Sequence, residues 1–188
     1  METRPYGSFL TAISALSATY RSGGSTEEAR ELETAVEVAE RAPPEDSAAA
    51  TEPFGQLAVS FLERGRWKTA ADLGILLVQT RTAALGQEHP LTLTAMGNLA
   101  SAYWGQGRFE EAAGLGQQVA IARKKVLGDE HPQTLTSMSN LASAYRSHGL
   151  WREAEKLELE LLETKARVLG EEHPSTLSSL GNLATTYE

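Results

Sequence analysis

The chain has 188 residues, enough for one domain with a sizeable core or for an array of small repeats. Its 17 basic residues stand against 25 acidic ones, a net charge of −8, and its cations occur only in short runs, which argues against nucleic acid as the main partner. With no cysteine, disulfides, thiolate catalysis and cysteine zinc sites are excluded, and no apolar run approaches the roughly 18 residues of a membrane helix. An apolar fraction of 41% with only 6% aromatic residues suits a helical protein rich in Ala and Leu.

Residues 9–18, FLTAISALSA, have the length of a signal-peptide core, but only Arg4 precedes them as a positive charge, and Ser and Thr interrupt the run. They are better taken as the first helix of a first repeat. Leu16, Tyr20 and Ala29 keep the mutual spacing of Leu99, Tyr103 and Ala112 further along. In GQLAVSFLERGRWKTAA (55–71), Leu57, Phe61, Gly65, Trp67 and Ala70 fall 42 residues before Leu99, Tyr103, Gly107, Phe109 and Ala112. From Leu85 the period is overt: His89, His131 and His173 each precede Pro, 42 residues apart. LGQEHPLTLTAMGNLASAYWGQGRFEEA (85–112) aligns with LGDEHPQTLTSMSNLASAYRSHGLWREA (127–154), and LGEEHPSTLSSLGNLATTYE (169–188) begins a further copy. A single array over 1–188 is expected, with repeats at about 8–42, 43–84, 85–126 and 127–168 and a half repeat over 169–188.

Each unit has the pattern of a helix hairpin. Leu93, Met96, Leu99, Ala100 and Tyr103 follow 3-and-4 spacing and form one apolar stripe. Gly107 or Gly149 then suits the left-handed position after a helix, and a second helix is expected from about Phe109 to Val126, packed through Ala112, Leu115, Val119 and Ala122. Arg123, Lys124 and Lys125 in its last turn, and Lys165 and Arg167 in the next copy, complement the helix dipole. Gly114 and Gly116, inside that helix, cost about 1 kcal/mol each against Ala; they either allow close helix contact or mark a soft point, and softness is expected.

The histidines do not form a metal site. Ligating nitrogens must lie about 2.1 Å from one ion, whereas equivalent residues of stacked hairpins are about 10 Å or more apart. Each instead stands at a helix start, with Pro90, Pro132 or Pro174 in the first turn and acids beside it. No nucleophile elbow, phosphate-binding loop or His-Glu-x-x-His occurs, so neither an enzyme nor a cofactor is expected.

The residues NLASAY, the following Gly and EEA, and then LG.EHP.T, resemble tetratricopeptide repeats of the 42-residue kinesin-light-chain type. Such repeats are similar to those in the C-terminal arrays of signalling NTPases. The resemblance implies an all-α, right-handed superhelix of helix hairpins, whose first helices line a concave groove for an extended peptide or partner helix. The family's groove asparagine falls on Asn98, Asn140 and Asn182, with Gln56 and Ala15 at the same place upstream. An amide both donates and accepts, and so pairs with any peptide backbone; alternatively these Asn bond only to neighbouring helices and hold the stacking. Ser101, Ser143, Trp104 and Arg146 complete the expected groove set. Groove positions lack the Lys/Arg set of chaperone-docking domains apart from Arg146, and the chain lacks the basic groove and upstream coiled coil of kinesin light chains; neither specific function is expected.

The expectation is therefore a non-catalytic, cytoplasmic interaction scaffold for a protein or peptide partner, with no nucleic acid, membrane or metal. The alternative is a self-association or ligand-sensing array of a larger signalling protein. Leu177, Leu180, Leu183 and Tyr187 have no second helix to cover them, which suggests either a fragment or a homodimer formed through this end.

Overall fold

The computed structural model describes residues 5–41 and 47–187, so the repeat boundary expected at 42/43 lies outside the described residues. Among them there are nine helices and no strand: α1 (Pro5–Ser22), α2 (Thr26–Ala39), α3 (Ser47–Glu63), α4 (Trp67–Leu85), α5 (Pro90–Gly105), α6 (Phe109–Leu127), α7 (Pro132–Ser147), α8 (Trp151–Leu169) and α9 (Pro174–Tyr187). The fold class is all-α, as the periodicity predicts. Two compact units divide the chain, residues 1–106 with α1–α5 and residues 107–188 with α6–α9.

The His-Pro joints start helices in a way the sequence pattern only half reveals. Proline takes the first helical position of α5 and α7, where its missing N–H does no harm. The histidine before it is the cap. Nδ1 of His89 accepts from the backbone N–H of Leu91, and Nδ1 of His131 from that of Gln133, both at 3.2 Å. His173 accepts from Ser175 N–H at 3.1 Å. At the other end of α7, Gly149 adopts φ 81°, which lets Leu150 N–H reach Tyr145 O at 2.9 Å and closes the helix.

In residues 1–106 the largest fully buried apolar side chains are Ile13, Leu32, Phe54, Phe61, Leu73 and Leu77, drawn from α1 to α4. Phe9 meets Phe54 edge-on with ring centroids 5.0 Å apart. Helix α1 packs on α4 as well as on α2. The Tyr20 hydroxyl donates to Asp72 at 2.7 Å, and the Lys68 ammonium lies 5.1 Å from the centre of the Tyr20 ring. No repeat pattern predicts this closure, because it joins residues 52 apart in the chain.

A second departure concerns the basic residues at the ends of the second helices. Arg123 and Lys165 do not sit in solvent beside the helix dipole; both are buried. Arg123 Nη1 donates to Gln133 O at 3.2 Å and Ser137 Oγ at 2.7 Å, tying α6 to α7. Lys165 Nζ donates to Ser139 Oγ at 3.2 Å and Ser179 Oγ at 2.8 Å, tying α8 to α7 and α9. Burial, with no carboxylate beside it, holds the Lys165 ammonium below the usual lysine range. In residues 1–106, buried Arg81 does the same for α4: Nε and Nη2 donate to Thr51 Oγ1 and O, and Nη1 to Leu91 O. The reason is rotational. Ala112, Gly116, Val119 and Arg123 follow one another at 4, 3 and 4 residues, so Arg123 falls on the buried stripe. Lys124, Lys125 and Arg167 are the exposed last-turn cations that remain for the dipole.

The glycines within α6 also divide. A Cβ on Gly116 would rest 3.5 Å from Leu141 Cδ1, so this glycine lies in a close helix contact, whereas one on Gly114 would meet nothing within 4 Å. The tightest glycine is Gly105, where a Cβ would lie 2.3 Å from Cδ2 of the Trp67 ring. Gly114→Ala is expected to raise stability by about 1 kcal/mol, the helix-propensity difference. Gly105→Ala is expected to lower it by about 1–3 kcal/mol through overpacking. Urea unfolding followed by circular dichroism checks both, and shifts of the same sign would contradict this packing.

Candidate functional site

The buried leucines Leu99, Leu141 and Leu183 fix how α5, α7 and α9 are rotated about their axes. The residue before each is turned about 100° round the helix and leaves the core. Those residues are Asn98, Asn140 and Asn182; Asn140 is exposed and the other two are half-buried. Their side-chain amides make no hydrogen bond among the described residues.

Within residues 1–106, Asn98 lines a recess of about 140 Å³ together with Gln56, the residue at the same place on α3. Glu52 and Thr94 stand beside them, and Gly55, Ala58, Gly74 and Ala95 make the walls. Arg81 also lines it, with only 3% of its side chain exposed. Ser101 and Trp104 lie further along α5 and do not line the recess. Ser101 donates its hydroxyl to Gly97 O at 3.1 Å, and Trp104 is 45% exposed.

Within residues 107–188 the expected groove residues are arranged differently. Arg146 is already engaged: Nη1 lies 3.1 Å from Glu158 Oε1 and 3.3 Å from Asn182 O. Glu158 is 2% exposed, and its other oxygen accepts from the Thr186 hydroxyl at 2.6 Å. Ser143 donates to Ser139 O within its own helix. The structure therefore pairs Arg146 with the buried Glu158 carboxylate and, by a separate hydrogen bond, with the Asn182 carbonyl oxygen, and leaves the Asn140 amide outside this cluster. Glu158, Gly74 and Arg81 are missed by the sequence pattern, and Lys165 enters it only as a dipole partner. A signal for them exists: Arg81, Arg123 and Lys165 recur every 42 residues, and Gly74, Gly116 and Glu158 share one place in the repeat.

Removing Arg146 strands a buried carboxylate. Arg146→Ala is expected to cost about 2–4 kcal/mol, and adding Glu158→Gln should recover part of that by removing the stranded charge. Thermal and urea unfolding of the single and double variants measure both effects; a neutral Arg146→Ala would mean that the pair is solvent-screened.

The sequence pattern of the tetratricopeptide repeat matches residues 92–133 and 134–175. A search of curated proteins gives no sequence match. Among solved structures, the kinesin-light-chain nearly identical TPR-like repeats of Podosopora anserina are 32% identical, with a TM-score of 0.72 over 100% of this chain and 88% of that one. A single-substitution form of the same protein gives 31% identity and a TM-score of 0.74 over the same shares of both chains. BtubC (BKLC) of P. vanneervenii, 22% identical over 93% of this chain and 70% of that one, has a TM-score of 0.75 and shares the fold. The helix order, the 42-residue period and these likenesses agree: the chain belongs to the tetratricopeptide repeat family, in its kinesin-light-chain type.

Proposed function

We propose that this chain is a non-catalytic, cytoplasmic interaction scaffold that binds an extended peptide or partner helix through its first-helix asparagines, Asn98 within residues 1–106 or Asn140 and Asn182 within residues 107–188. Tetratricopeptide repeats generally mediate protein–protein interaction, and their fold is typically a scaffold without catalysis. No helix among the described residues is long and apolar enough to cross a membrane. The observation that carries the proposal is the state of the amides. Asn98, Asn140 and Asn182 keep their donors and acceptor for a ligand, since no described residue bonds them. Peptide backbone offers the complementary groups whatever its sequence. Arg146 contributes less than its charge suggests, because Glu158 already neutralises it.

A second proposal, self-association through α9, is supported by one observation. Leu177 and Leu180 are 53% and 51% exposed, whereas Leu135 and Met138, at the same places on α7, are each 5% exposed. An uncovered face of this kind favours a partner surface. Sedimentation should then show association at high concentration that Leu180→Glu abolishes. A wild type that stays monomeric at about 1 mM would exclude a dimer of useful strength.

The main proposal is tested with short peptides selected from a random display library. Asn98→Ala and Asn140→Ala are expected to weaken the best peptide about five- to tenfold, while changing stability by less than about 0.5 kcal/mol. Unchanged affinity with a stability loss of about 1–3 kcal/mol would instead make the amides structural.

A further inference from the structure

We infer that the recess in residues 1–106 is an anchoring subsite for one aliphatic side chain, Val, Ile, Leu or Met, of an extended peptide whose main chain meets Gln56 and Asn98. The inference rests on the peptide-binding function just proposed and specifies what is bound.

The recess exists because its walls are small. Gly55 and Ala58 on α3, Gly74 on α4 and Ala95 on α5 leave space where longer side chains would meet. A Cβ on Gly55 would come 3.0 Å from Arg81 Nη2, so this glycine makes room for the guanidinium in the wall, and one on Gly74 would come 3.3 Å from Leu99 Cβ, so this one lets α4 and α5 approach closely behind the recess. Its volume of about 140 Å³ is close to the ~150 Å³ of an apolar cavity that accepts a benzene-sized group. A branched aliphatic side chain fits this space, and an indole is too large for it.

Charge complementarity points the same way. The Arg81 guanidinium already donates to Thr51 O, Thr51 Oγ1 and Leu91 O, and Glu52 lies 3.6 Å from it. The recess thus holds a matched cation and anion and does not call for an ionic occupant. An uncharged apolar group gains by burial and leaves those bonds intact.

The mouth supplies the polar contacts that a peptide main chain needs. Asn98 offers its whole amide; Gln56 has one N–H directed at Glu52, 3.5 Å away, and keeps its carbonyl oxygen. Beyond Gln56 the recess meets a wider trough of about 860 Å³ between α2 and α3, which shares Glu52 and Gln56 with it and is floored by Ala35, Val38, Pro53 and Leu57. The trough gives an extended chain a path away from its anchor.

The corresponding place in residues 107–188 is closed by chemistry. Gly55, Gly74 and Ala95 are replaced there by Ser139, Glu158 and Ser179. The two serines bond Lys165, and Glu158 pairs with Arg146, so hydrogen-bonded polar side chains take the place of the small apolar walls. An aliphatic anchor would have to break those bonds to enter.

The test uses short random peptides displayed on phage, with the strongest binder synthesised and titrated by calorimetry. Val59→Trp puts a large ring at the mouth from a position already 39% exposed. Thr94→Trp does so from α5, and serves if the first variant misfolds. Gln118→Trp, exposed on α6, is the control. The recovered peptides should share an aliphatic residue whose change to Ala or Trp weakens binding about tenfold. Either mouth variant should weaken it by a similar factor, and Gln118→Trp by less than about twofold. Peptides that bind without an aliphatic preference, or that tolerate both mouth variants, overturn the subsite and leave peptide binding standing. No peptide binding tighter than about 1 mM overturns both.

Discussion

Three buried cations, Arg81, Arg123 and Lys165, recur every 42 residues, and each donates to the helix that follows its own. A buried charge costs several kcal/mol unless hydrogen bonds offset it, so the bonds made by Arg81, by Nη1 of Arg123 and by Lys165 tolerate little displacement of their acceptors. Arg81 clamps α4 between α3 and α5, Arg123 fixes α7 against α6, and Lys165 fixes α7 and α9 against α8. The acceptors lie on the first helices. Clamping them sets the rotation of α5, α7 and α9, and with it the direction of the residues that leave the core. Other side chains thus hold these helices, while the side-chain amides of the asparagines carry no hydrogen bond among the described residues.

Single exchanges at one place in the repeat then give each part of the chain its character. Where Gly74 meets Leu99, the wall is thin and a recess opens beside Asn98. Glu158, at the same place later in the chain, brings a buried carboxylate that needs a cation, and Arg146 supplies it from α7. Arg146 stands where α5 carries Trp104, so the two substitutions act together: a buried glutamate without the arginine would be stranded. Related repeats thus offer an open apolar subsite in one unit and a polar, self-satisfied one in the other.

Much of the fold was legible because a period of 42 residues is hard to produce by chance. The second helix expected from Phe109 to Val126 runs from Phe109 to Leu127, and Pro90, Pro132 and Pro174 open α5, α7 and α9. The asparagine positions were legible for the same reason. The capping role of His89 and His131 was not, because imidazole is an uncommon helix cap and its acceptor nitrogen shows only in three dimensions. The burial of Arg123 is written in its spacing from Val119 and Gly116, but a cation in a last turn is usually solvated, and the two signals conflict in the sequence. The packing of α1 on α4 and the Arg146–Glu158 pair depend on partners that no local pattern names.

Labour is divided: inward cations hold the helices, and outward amides make no hydrogen bond among the described residues. Side-chain hydrogen exchange followed by NMR observes both groups in one sample of the unliganded protein. Slow exchange is expected for the guanidinium protons of Arg81 and for the Nη1 protons of Arg123, and unprotected exchange for the amide protons of Asn98, Asn140 and Asn182. Protected asparagine amides beside freely exchanging guanidinium groups would contradict this division.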